Sequence, residues 1–568
     1  MSDRMQPIPF EALLDWVFGE YRAQGSIFGV KKFWRPPEGT GEPFMGRSIE
    51  SAVGPAAGPH TQLAQNIITA YLCGGRVFEL KTVQVIDGED LHVSKPCILA
   101  EDEGYNCEWS TELTVSQARD EYIKAWVLLH VLAKELELGR PDGFVFCMSV
   151  GYDLAGITSP KIDGFLDDMK DASRTDVFRD CLAVLARRAG DFNRFTPEDI
   201  NAISPNPCNN VTISTMHGCP AEDTERIALH LLENKGLHLM LKCNPTLVGF
   251  DYARRALDAL GFNYLSFGQE GFENDLQYDD AVPMLRRLQK RAGELGLFFG
   301  LKLTNTFAVR ANHGELPEKN IYMSGRALLP LSLRVAARLR MDFGNALPMS
   351  YCGGANAKNI VMLRGMGLFP VTVCTELLKP GGYGKLEAMA SALEASDAAK
   401  TAGRHAILDN LIQTLCTPAR KTPTPHRALL KARLLTKAAR CKACGICVSV
   451  CPNRANVVID VDGSHLLLHM DGLCNECGNC ASFCPEKQVP YLEKFTLFTD
   501  REALENSRNA GFTFLPETGR FLLRWGGACR EVDPEDEGFP TQIGGMMMAV
   551  RDRYPWLLYK QEKGKHHG

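Results

Sequence analysis

The chain has 568 residues, of which 45% are hydrophobic and 23% charged, and its formal net charge is -5 at pH 7. This mild acidity gives no electrostatic reason to expect nucleic acid or an anionic membrane surface as a partner. No segment approaches the roughly eighteen uncharged apolar residues of a membrane span, and residues 1–21 lack the apolar core of a signal peptide.

Residues 1–44 predict a helical lead-in, with an amphipathic helix over 10–22 and then a Pro- and Gly-rich stretch. From 45 to 395, short apolar runs alternate with longer helical patterns such as 118–136 and 221–234, which is typical of βα units around a parallel sheet. The candidate strands lie at 53–58, 77–82, 144–150, 211–216, 239–244, 264–268, 298–305, 348–354 and 371–377. The economical fold class is α/β, with a (β/α)8 TIM barrel. An open doubly wound sheet is the alternative, weakened because no G-x-G-x-x-G follows a first strand.

Residues 396–436 predict a basic helical linker, and residues 437–490 contain the runs CKACGICVSVCP and CNECGNCASFCP. Each run has the C-x-x-C-x-x-C-x-x-x-C-P spacing of bacterial two-cluster ferredoxins, in which the fourth cysteine ligates the other cluster. We therefore assign one [4Fe-4S] cluster to Cys441, Cys444, Cys447 and Cys484, and the other to Cys474, Cys477, Cys480 and Cys451. Structural zinc is the alternative, but zinc ribbons typically use two C-x-x-C pairs without a third cysteine at this interval. The spacing predicts a bacterial-type 2[4Fe-4S] ferredoxin domain and electron transfer.

Residues 491–568 predict a small α+β C-terminal extension of short strands and turns followed by a helix. We find no residues with obvious chemistry in it. The cysteines outside the two runs have no framework spacing, as expected of reduced thiols. We therefore predict a cytoplasmic protein.

Several polar residues end apolar strands, where side chains of a barrel reach its active site. Lys81 and Lys242 are costly to bury without an anionic or flavin partner, although a salt bridge to a barrel carboxylate would also satisfy them. His60 and His217 lie in strand-end loops, where a histidine more often satisfies a backbone carbonyl than binds a ligand. Asn106 and Asn305 carry amides able to pair with the edges of a heterocycle.

The strand ends resemble the flavin barrel of dihydroorotate and dihydropyrimidine dehydrogenases. The similar segments are GPAAG (54–58), ELKT (79–82), LKCNPT (241–246), TNT (304–306), SG (324–325), CGG (352–354) and VCT (373–375). The resemblance implies bound FMN, with its phosphate held by the loops after the last strands. The FMN contacts that it implies are Ala57, Gly58, Lys81, Thr82, Lys242, Thr306, Ser324, Gly325, Gly353, Gly354, Cys374 and Thr375.

The same resemblance implies catalytic residues in STMHGCPAED, which is similar to a family loop whose cysteine exchanges a proton opposite the flavin. Cys219 would be that group, with His217 tuning it. A buried apolar cysteine in a tight loop is the alternative. His60, Asn106 and Asn305 are the candidate substrate contacts.

Nearly the whole chain resembles the family of selenate reductase iron–sulfur subunits, most closely at GPAAGPHTQLAQN, EDEGYNCEWSTE, MSGRALLPLS, LLKPGGY and CNECGNCASFCP. Longer members carry an FAD- and NAD(P)H-binding module like the small subunit of glutamate synthase between barrel and ferredoxin. Here a short linker stands in its place. The resemblance therefore implies that a separate flavoprotein of this kind is the electron partner, with other redox subunits possible.

The leading hypothesis is an iron–sulfur oxidoreductase subunit that passes electrons between such a flavoprotein, two [4Fe-4S] clusters and a flavin barrel. The barrel would reduce an N-heterocycle of purine or pyrimidine type, or selenate. The alternative is an electron-relay or scaffold subunit of a hydrogenase- or transhydrogenase-type complex, without a substrate of its own. A glutamate-synthase-like role ranks last, because no amidotransferase nucleophile is found at the N-terminus.

Overall fold

The structure is a computed structural model that describes residues 4–88, 90–107, 110–214, 218–396, 409–431 and 441–559. Its largest unit is an eight-stranded parallel sheet curved into a barrel. The strands are β1 (Val53–Pro55), β2 (Val77–Glu79), β3 (Val145–Val150), β4 (Asn210–Ser214), β5 (His238–Cys243), β6 (Phe299–Leu303), β7 (Met349–Tyr351) and β8 (Leu368–Val373). They are arranged in the order β1-β8-β7-β6-β5-β4-β3-β2.

The barrel is nearly closed where β1 meets β2. There the backbone N–H of Arg76 donates a 2.9 Å hydrogen bond to the carbonyl oxygen of Val53. The strands read as apolar runs because both faces of a parallel sheet are covered, and every residue of β3 and β6 is buried. The predicted α/β class and the TIM-like barrel are confirmed.

The strand predicted at 264–268 is wrong. This segment is a loop in which Ser266 forms an isolated bridge with Arg310. Its apolar character serves aromatic packing, since the ring of Phe267 lies 4.8 Å from that of Phe307 and 6.0 Å from that of Phe272. The apolar residues at 264–268 therefore belong to a packed loop and not to a strand.

Helices connect the strands around the outside of the barrel. They are Ala64–Leu72, Val115–Glu135, Leu154–Ile157, Pro160–Lys170, Asp176–Arg187, Pro197–Ala202, Ala221–Leu229, Phe250–Ala259, Glu270–Asn274, Tyr278–Glu294, Leu329–Phe343, Ile360–Gly365 and Gly384–Glu394. The longest begins with a capping box: the Thr114 hydroxyl accepts from Gln117 N–H at 3.2 Å, and the Gln117 side chain accepts from Thr114 N–H at 3.0 Å. The helix predicted at 118–136 thus starts at Val115.

The two ends of the barrel are closed differently. A hairpin of Glu42–Phe44 and Arg47–Ile49 covers the N-terminal end, where Phe44 lies 6.0 Å from Phe298 and 5.8 Å from Phe369, ring to ring. At the other end lies an antiparallel sheet of Ile98–Leu99, Gly104–Asn106, Phe307–Arg310 and Asn320–Ser324, which we call the cap sheet. The predicted boundary at 44 falls inside the hairpin, and the cap sheet was not predicted.

The C-terminal region is built on a six-stranded sheet. Its strands are Asn456–Val461, Ser464–Met470, Phe495–Leu497, Gly511–Leu515, Arg520–Trp525 and Ala528–Val532, and its helices are Ile446–Ser449, Asn479–Phe483, Pro490–Glu493, Arg501–Asn506 and Thr541–Asp552. The linker contributes Asp409–Leu415 and Arg427–Lys431. The first two strands lie between the cysteine runs, so the sheet continues across the predicted boundary at 490.

The N-terminal helix Phe10–Gln24 packs against the last described residues of the chain. A Cβ added to Gly19 would lie 3.1 Å from the ring of Trp556, and the rings of Trp16 and Tyr559 are 6.2 Å apart. Within the described ranges, no helix combines the length and apolar character needed to cross a membrane.

Candidate functional site

A cavity of about 700 Å³ opens at the C-terminal ends of the barrel strands, beneath the cap sheet. This volume lies within the roughly 300–1,000 Å³ of pockets that hold small molecules. Its lining includes every flavin contact implied by the sequence: Ala57, Gly58, Lys81, Thr82, Lys242, Thr306, Ser324, Gly325, Gly353, Gly354, Cys374 and Thr375. Asn106 and Asn305, two of the candidate substrate contacts, also line it.

The barrel interior next to the cavity contains charged side chains. Lys302 of β6 forms a buried ion pair with Glu79 of β2 and also donates to Ser350 Oγ at 3.1 Å. Lys242 of β5 is the register neighbour of Lys302, and burial lowers the pKa of its ammonium. Lys81 is buried beside the same cavity. Lys81 and Lys242 therefore place side-chain nitrogens at the cavity, where they can contact an electron-rich or anionic ligand.

Glycines of the lining loops lie where there is no space for a side chain. A Cβ added to Gly353 would lie 2.3 Å from Ser332 Oγ, and one added to Gly58 would lie 2.6 Å from Cys374 Sγ. Gly325 and Gly354 have φ of +79° and +78°, which side chains with a Cβ rarely adopt. Loops of this kind after late barrel strands suit a phosphate. The residues present therefore fit a flavin mononucleotide.

His60, the third candidate substrate contact, is fully buried and is not among the described residues that line the cavity. Its ring packs edge-on against Tyr383, with centroids 5.0 Å apart. Burial lowers the pKa of His60 to about 3, so the ring is neutral. The structure places this histidine in the packing behind the β1 loop.

Cys219 lies in the loop after β4, and His217 lies outside the described residues. Cys219 is half-buried and is not among the described lining residues. Thr224 Oγ1 donates to its Sγ at 3.4 Å, and burial raises the pKa of its thiol. A thiol with a raised pKa stays protonated at neutral pH, as a proton donor must.

A buried carboxylate connects this loop to the cavity wall. Asp275 accepts from the Gly218 N–H at 2.7 Å and from Thr246 Oγ1 at 2.7 Å. It also accepts from the amide of Asn244, which in turn accepts from Asn305. Hydrogen bonds through Asp275 and Asn244 therefore connect the loop of Cys219 to Asn305, which lines the cavity.

Sequence reasoning missed several lining residues. Asn356 and Lys358 follow the β7 loop, while Lys379 and Lys385 follow β8. Lys358 lies four residues after the CGG segment at 352–354, and Lys379 belongs to the LLKPGGY segment, so both lie in or near segments that the sequence singled out. Ile98, Gly104 and Tyr322 come from the cap sheet, whose short strands show no periodic hydrophobic pattern in the sequence.

A second, much smaller cavity lies in the C-terminal region. Cys451 of the first run lines it together with Cys474, Cys477 and Cys480 of the second. Backbone N–H groups donate to two of these sulfurs, from Ala455 to Cys451 at 3.2 Å and from Glu476 to Cys474 at 3.3 Å.

Such N–H donors are typical around cluster sulfurs, and four thiols facing one cavity fit an iron–sulfur cluster in type and number. Over the described residues, no group of three or more His, Cys, Asp or Glu side chains meets the geometry for a single metal ion. Cys441 and Cys444, by contrast, are exposed, and Cys447 is buried. We call the set lining the cavity the inner cysteines, and Cys441, Cys444, Cys447 and Cys484 the outer cysteines.

One layer of barrel residues separates the two cavities. The carbonyl oxygen of Cys477 accepts from Cys97 N–H at 3.1 Å and from Ile98 N–H at 2.9 Å. The side chain of Asn479 donates to the carbonyl oxygen of Leu378 at 2.8 Å. Ile98 and Leu378 both line the barrel cavity. The same residues therefore contact the second cysteine run and the barrel cavity.

Comparison with known proteins assigns most of the chain to one family. Residues 28–422 match "Oxidoreductase YgfK, N-terminal TIM-barrel domain". "Putative oxidoreductase YgfK" of Escherichia coli, in strains K12 and O157:H7, is 47% identical over 412 residues. That alignment covers 70% of this chain and 40% of each relative, so the chain spans less than half the length of these curated proteins.

Among solved structures, DHODH from Eimeria tenella in complex with ferulenol is similar at a TM-score of 0.40 and 14% identity. The match covers 71% of this chain and 93% of that one. The chain belongs to the oxidoreductase YgfK N-terminal TIM-barrel family, whose model matches residues 28–422.

Proposed function

We propose that this chain is an iron–sulfur flavin oxidoreductase subunit. Two [4Fe-4S] clusters on the inner and outer cysteines exchange electrons with FMN in the barrel cavity, where a small polar substrate is reduced. The observation that carries the proposal is the position of Ile98 and Leu378, which line the cavity and bond to the second cysteine run. A separation of one residue layer suits electron transfer between two bound groups.

Different residues of the cavity lining would bind different parts of FMN. The glycine loops at 353–354 and around 325 suit the phosphate, while Lys81 and Lys242 stabilise electron density on the ring system. Bound FMN would supply hydride or single-electron chemistry at the cavity. Asn106 and Asn305 offer amide donors and acceptors to the edge of a purine- or pyrimidine-like N-heterocycle. Selenate remains a second candidate substrate, suggested by family resemblance alone.

Reduction of a polarised C=C or C=N bond also needs a proton. Cys219 would donate it, because its thiol is protonated and its loop is fixed by Asp275. His217, two residues earlier, would tune or resupply that proton.

Electrons would enter at the outer cysteines, of which Cys441 and Cys444 are exposed to solvent. We propose a separate FAD- and NAD(P)H-binding flavoprotein, similar to the small subunit of glutamate synthase, as the partner. Other redox subunits could join the same complex. The inner cysteines then connect that partner to the flavin.

The competing function is an electron relay without its own substrate. A cavity of about 700 Å³ lined by two asparagine amides favours the reductase, because a relay needs no polar substrate contacts. The test is anaerobic purification with iron and flavin analysis, followed by assays with reduced methyl viologen and a panel of purines, pyrimidines and selenate.

We expect about eight iron atoms per chain for two [4Fe-4S] clusters, one FMN, and oxidation of the viologen by at least one heterocycle. Iron without flavin, in protein supplied with FMN, would contradict the reductase and support the relay. Flavin without iron would refute the proposed role of the cysteine runs.

A further inference from the structure

A segment of the barrel forms part of the surroundings of the inner cysteines. Residues 95–98 lead into the cap sheet, and Cys97 and Ile98 donate backbone hydrogen bonds to Cys477. Gly478 has a φ of +84°, and a Cβ added there would lie 2.4 Å from Pro96. The barrel segment is therefore packed directly onto the second cysteine run.

This segment carries one half of a partly buried ion pair. Lys95 pairs with Glu112, and their side chains are only 13% and 11% exposed. Lys95 Nζ also lies 3.9 Å from Cys97 Sγ. The other oxygen of Glu112 accepts from the side chain of Asn475 at 2.6 Å. The ammonium thus lies beside Cys97, whose backbone bonds to Cys477, while the carboxylate accepts from Asn475, between Cys474 and Cys477.

Further hydrogen bonds fix this arrangement. Asn453 donates to Asn475 Oδ1 at 3.3 Å and accepts from Asn66 at 3.1 Å. Asn453 and Asn475 line the inner-cysteine cavity, and Asn66 belongs to the first barrel helix.

A fixed buried charge changes the reduction potential of a nearby cluster, because reduction adds one negative charge. A positive neighbour stabilises the reduced form and a negative neighbour destabilises it. Screening by salt is weak for buried groups. Loss of the ammonium or of the carboxylate must then shift the potential in opposite directions.

We propose that Lys95 and Glu112, both supplied by the barrel, set the reduction potential of the cluster held by Cys451, Cys474, Cys477 and Cys480. The proposal rests on the proposed function, since it presumes that these cysteines hold a cluster. Residues of the barrel would then control the reduction potential of the cluster on the inner cysteines.

The test is a redox titration of holoprotein followed by electron paramagnetic resonance, with Lys95→Met and Glu112→Gln. We expect Lys95→Met to lower and Glu112→Gln to raise the potential of one cluster, each by about a tenfold change in its oxidised-to-reduced ratio, or ~59 mV for a one-electron couple. The other cluster should keep its potential. Lys442→Met is the matched control, because Lys442 forms an exposed ion pair with Glu486 near the outer cysteines.

Shifts in the same direction for both variants, or none in either, would overturn the proposal while leaving the clusters in place. If Lys95→Met does not fold, Glu112→Gln decides alone, since it keeps the size of the side chain and its acceptor for Asn475. If iron-reconstituted wild-type protein shows no cluster signal, both this inference and the proposed function are refuted.

Discussion

The side-chain Nδ2 of Asn305 donates a 2.7 Å hydrogen bond to Oδ1 of Asn244. Asn244 in turn donates to Asp275 at 3.3 Å, and Asp275 holds the backbone of Gly218. A candidate substrate contact and the loop of the candidate proton donor are therefore positioned by one buried carboxylate. Because it is charged and shared, its removal should disturb both at once.

Asp275→Asn should slow substrate reduction about 10- to 100-fold, since a lost charge-assisted hydrogen bond costs on the order of 1.5–3 kcal/mol. FMN content should stay the same, because Asp275 does not line the described cavity. Steady-state rates with a viologen donor and flavin absorbance measure the two effects. Asp280→Asn, at an exposed aspartate of the helix Tyr278–Glu294, is the control. Equal rates for the two variants would show that Asp275 has no positioning role.

Cys219→Ala should lower heterocycle reduction by roughly 100-fold or more, the usual contribution of a general acid. Reduction of FMN by the clusters should remain unchanged, because electron delivery needs no proton from this loop. Stopped-flow spectra separate the two half-reactions. An unchanged rate of substrate reduction would rule out Cys219 as the proton donor. Thr224→Val removes only the hydrogen-bond partner of the Cys219 thiol and should have a smaller effect on that rate.

Gly58→Ala should abolish FMN binding or weaken it strongly. The new Cβ would lie 2.6 Å from Cys374 Sγ, at a point where both residues line the cavity. Fluorescence of flavin released by heat measures occupancy. Gly293→Ala is the matched control, since nothing lies within 4 Å of a Cβ at that helical position. Full flavin occupancy in Gly58→Ala would argue against FMN in this cavity.

Cys451→Ser and Cys474→Ser should remove the same cluster, although one cysteine belongs to each run. The structure places both on the inner-cysteine cavity. Each variant should lose about four iron atoms and the same paramagnetic signal, while Cys441→Ser should lose the other signal. A signal shared by Cys451→Ser and Cys441→Ser would show that the ligands do not cross between runs.

His60→Phe should flatten the acid side of the stability curve. Burial lowers the pKa of His60 from 6.5 to about 3, so the unfolded chain binds a proton there before the native state does. Stability is therefore fully present above pH 6.5 and is lost as pH falls toward 3, by up to about 1.4 kcal/mol per pH unit. Denaturant titrations at a series of pH values measure the slope. The control is His465→Phe, at an exposed histidine, which should leave the slope of stability against pH unchanged. If His60→Phe has the same slope as the wild-type protein, His60 does not cause the loss of stability in acid.

The barrel and its cavity were accessible from the sequence because each βα unit carries its own local signal. Apolar runs ending in Gly, Lys or Thr identified the strand ends, and the residues quoted there line one cavity. The same reasoning misjudged 264–268, where aromatic residues such as Phe267 pack a loop without strand pairing. Periodicity records burial, and burial alone does not distinguish a strand from a packed loop.

What the sequence could not supply were contacts between distant segments. The cap sheet pairs Gly104–Asn106 with Asn320–Ser324, which are far apart in the chain. His60 was a candidate substrate contact, yet its burial against Tyr383 depends on the loop after β8. The ion pair of Lys95 with Glu112 likewise depends on how the segment before the cap sheet folds back.

The contact between the N-terminal helix and residues 555–559 has a consequence for synthesis of the chain. Trp16 and Gly19 are synthesised before Trp556 and Tyr559, against which they pack, and about 540 residues separate the two groups in the chain. At about 5–20 residues per second, the helix waits roughly half a minute or longer for this partner. Over that interval its apolar face is incompletely covered, so a chaperone should engage the nascent chain there. Truncation after residue 540 should prolong that engagement.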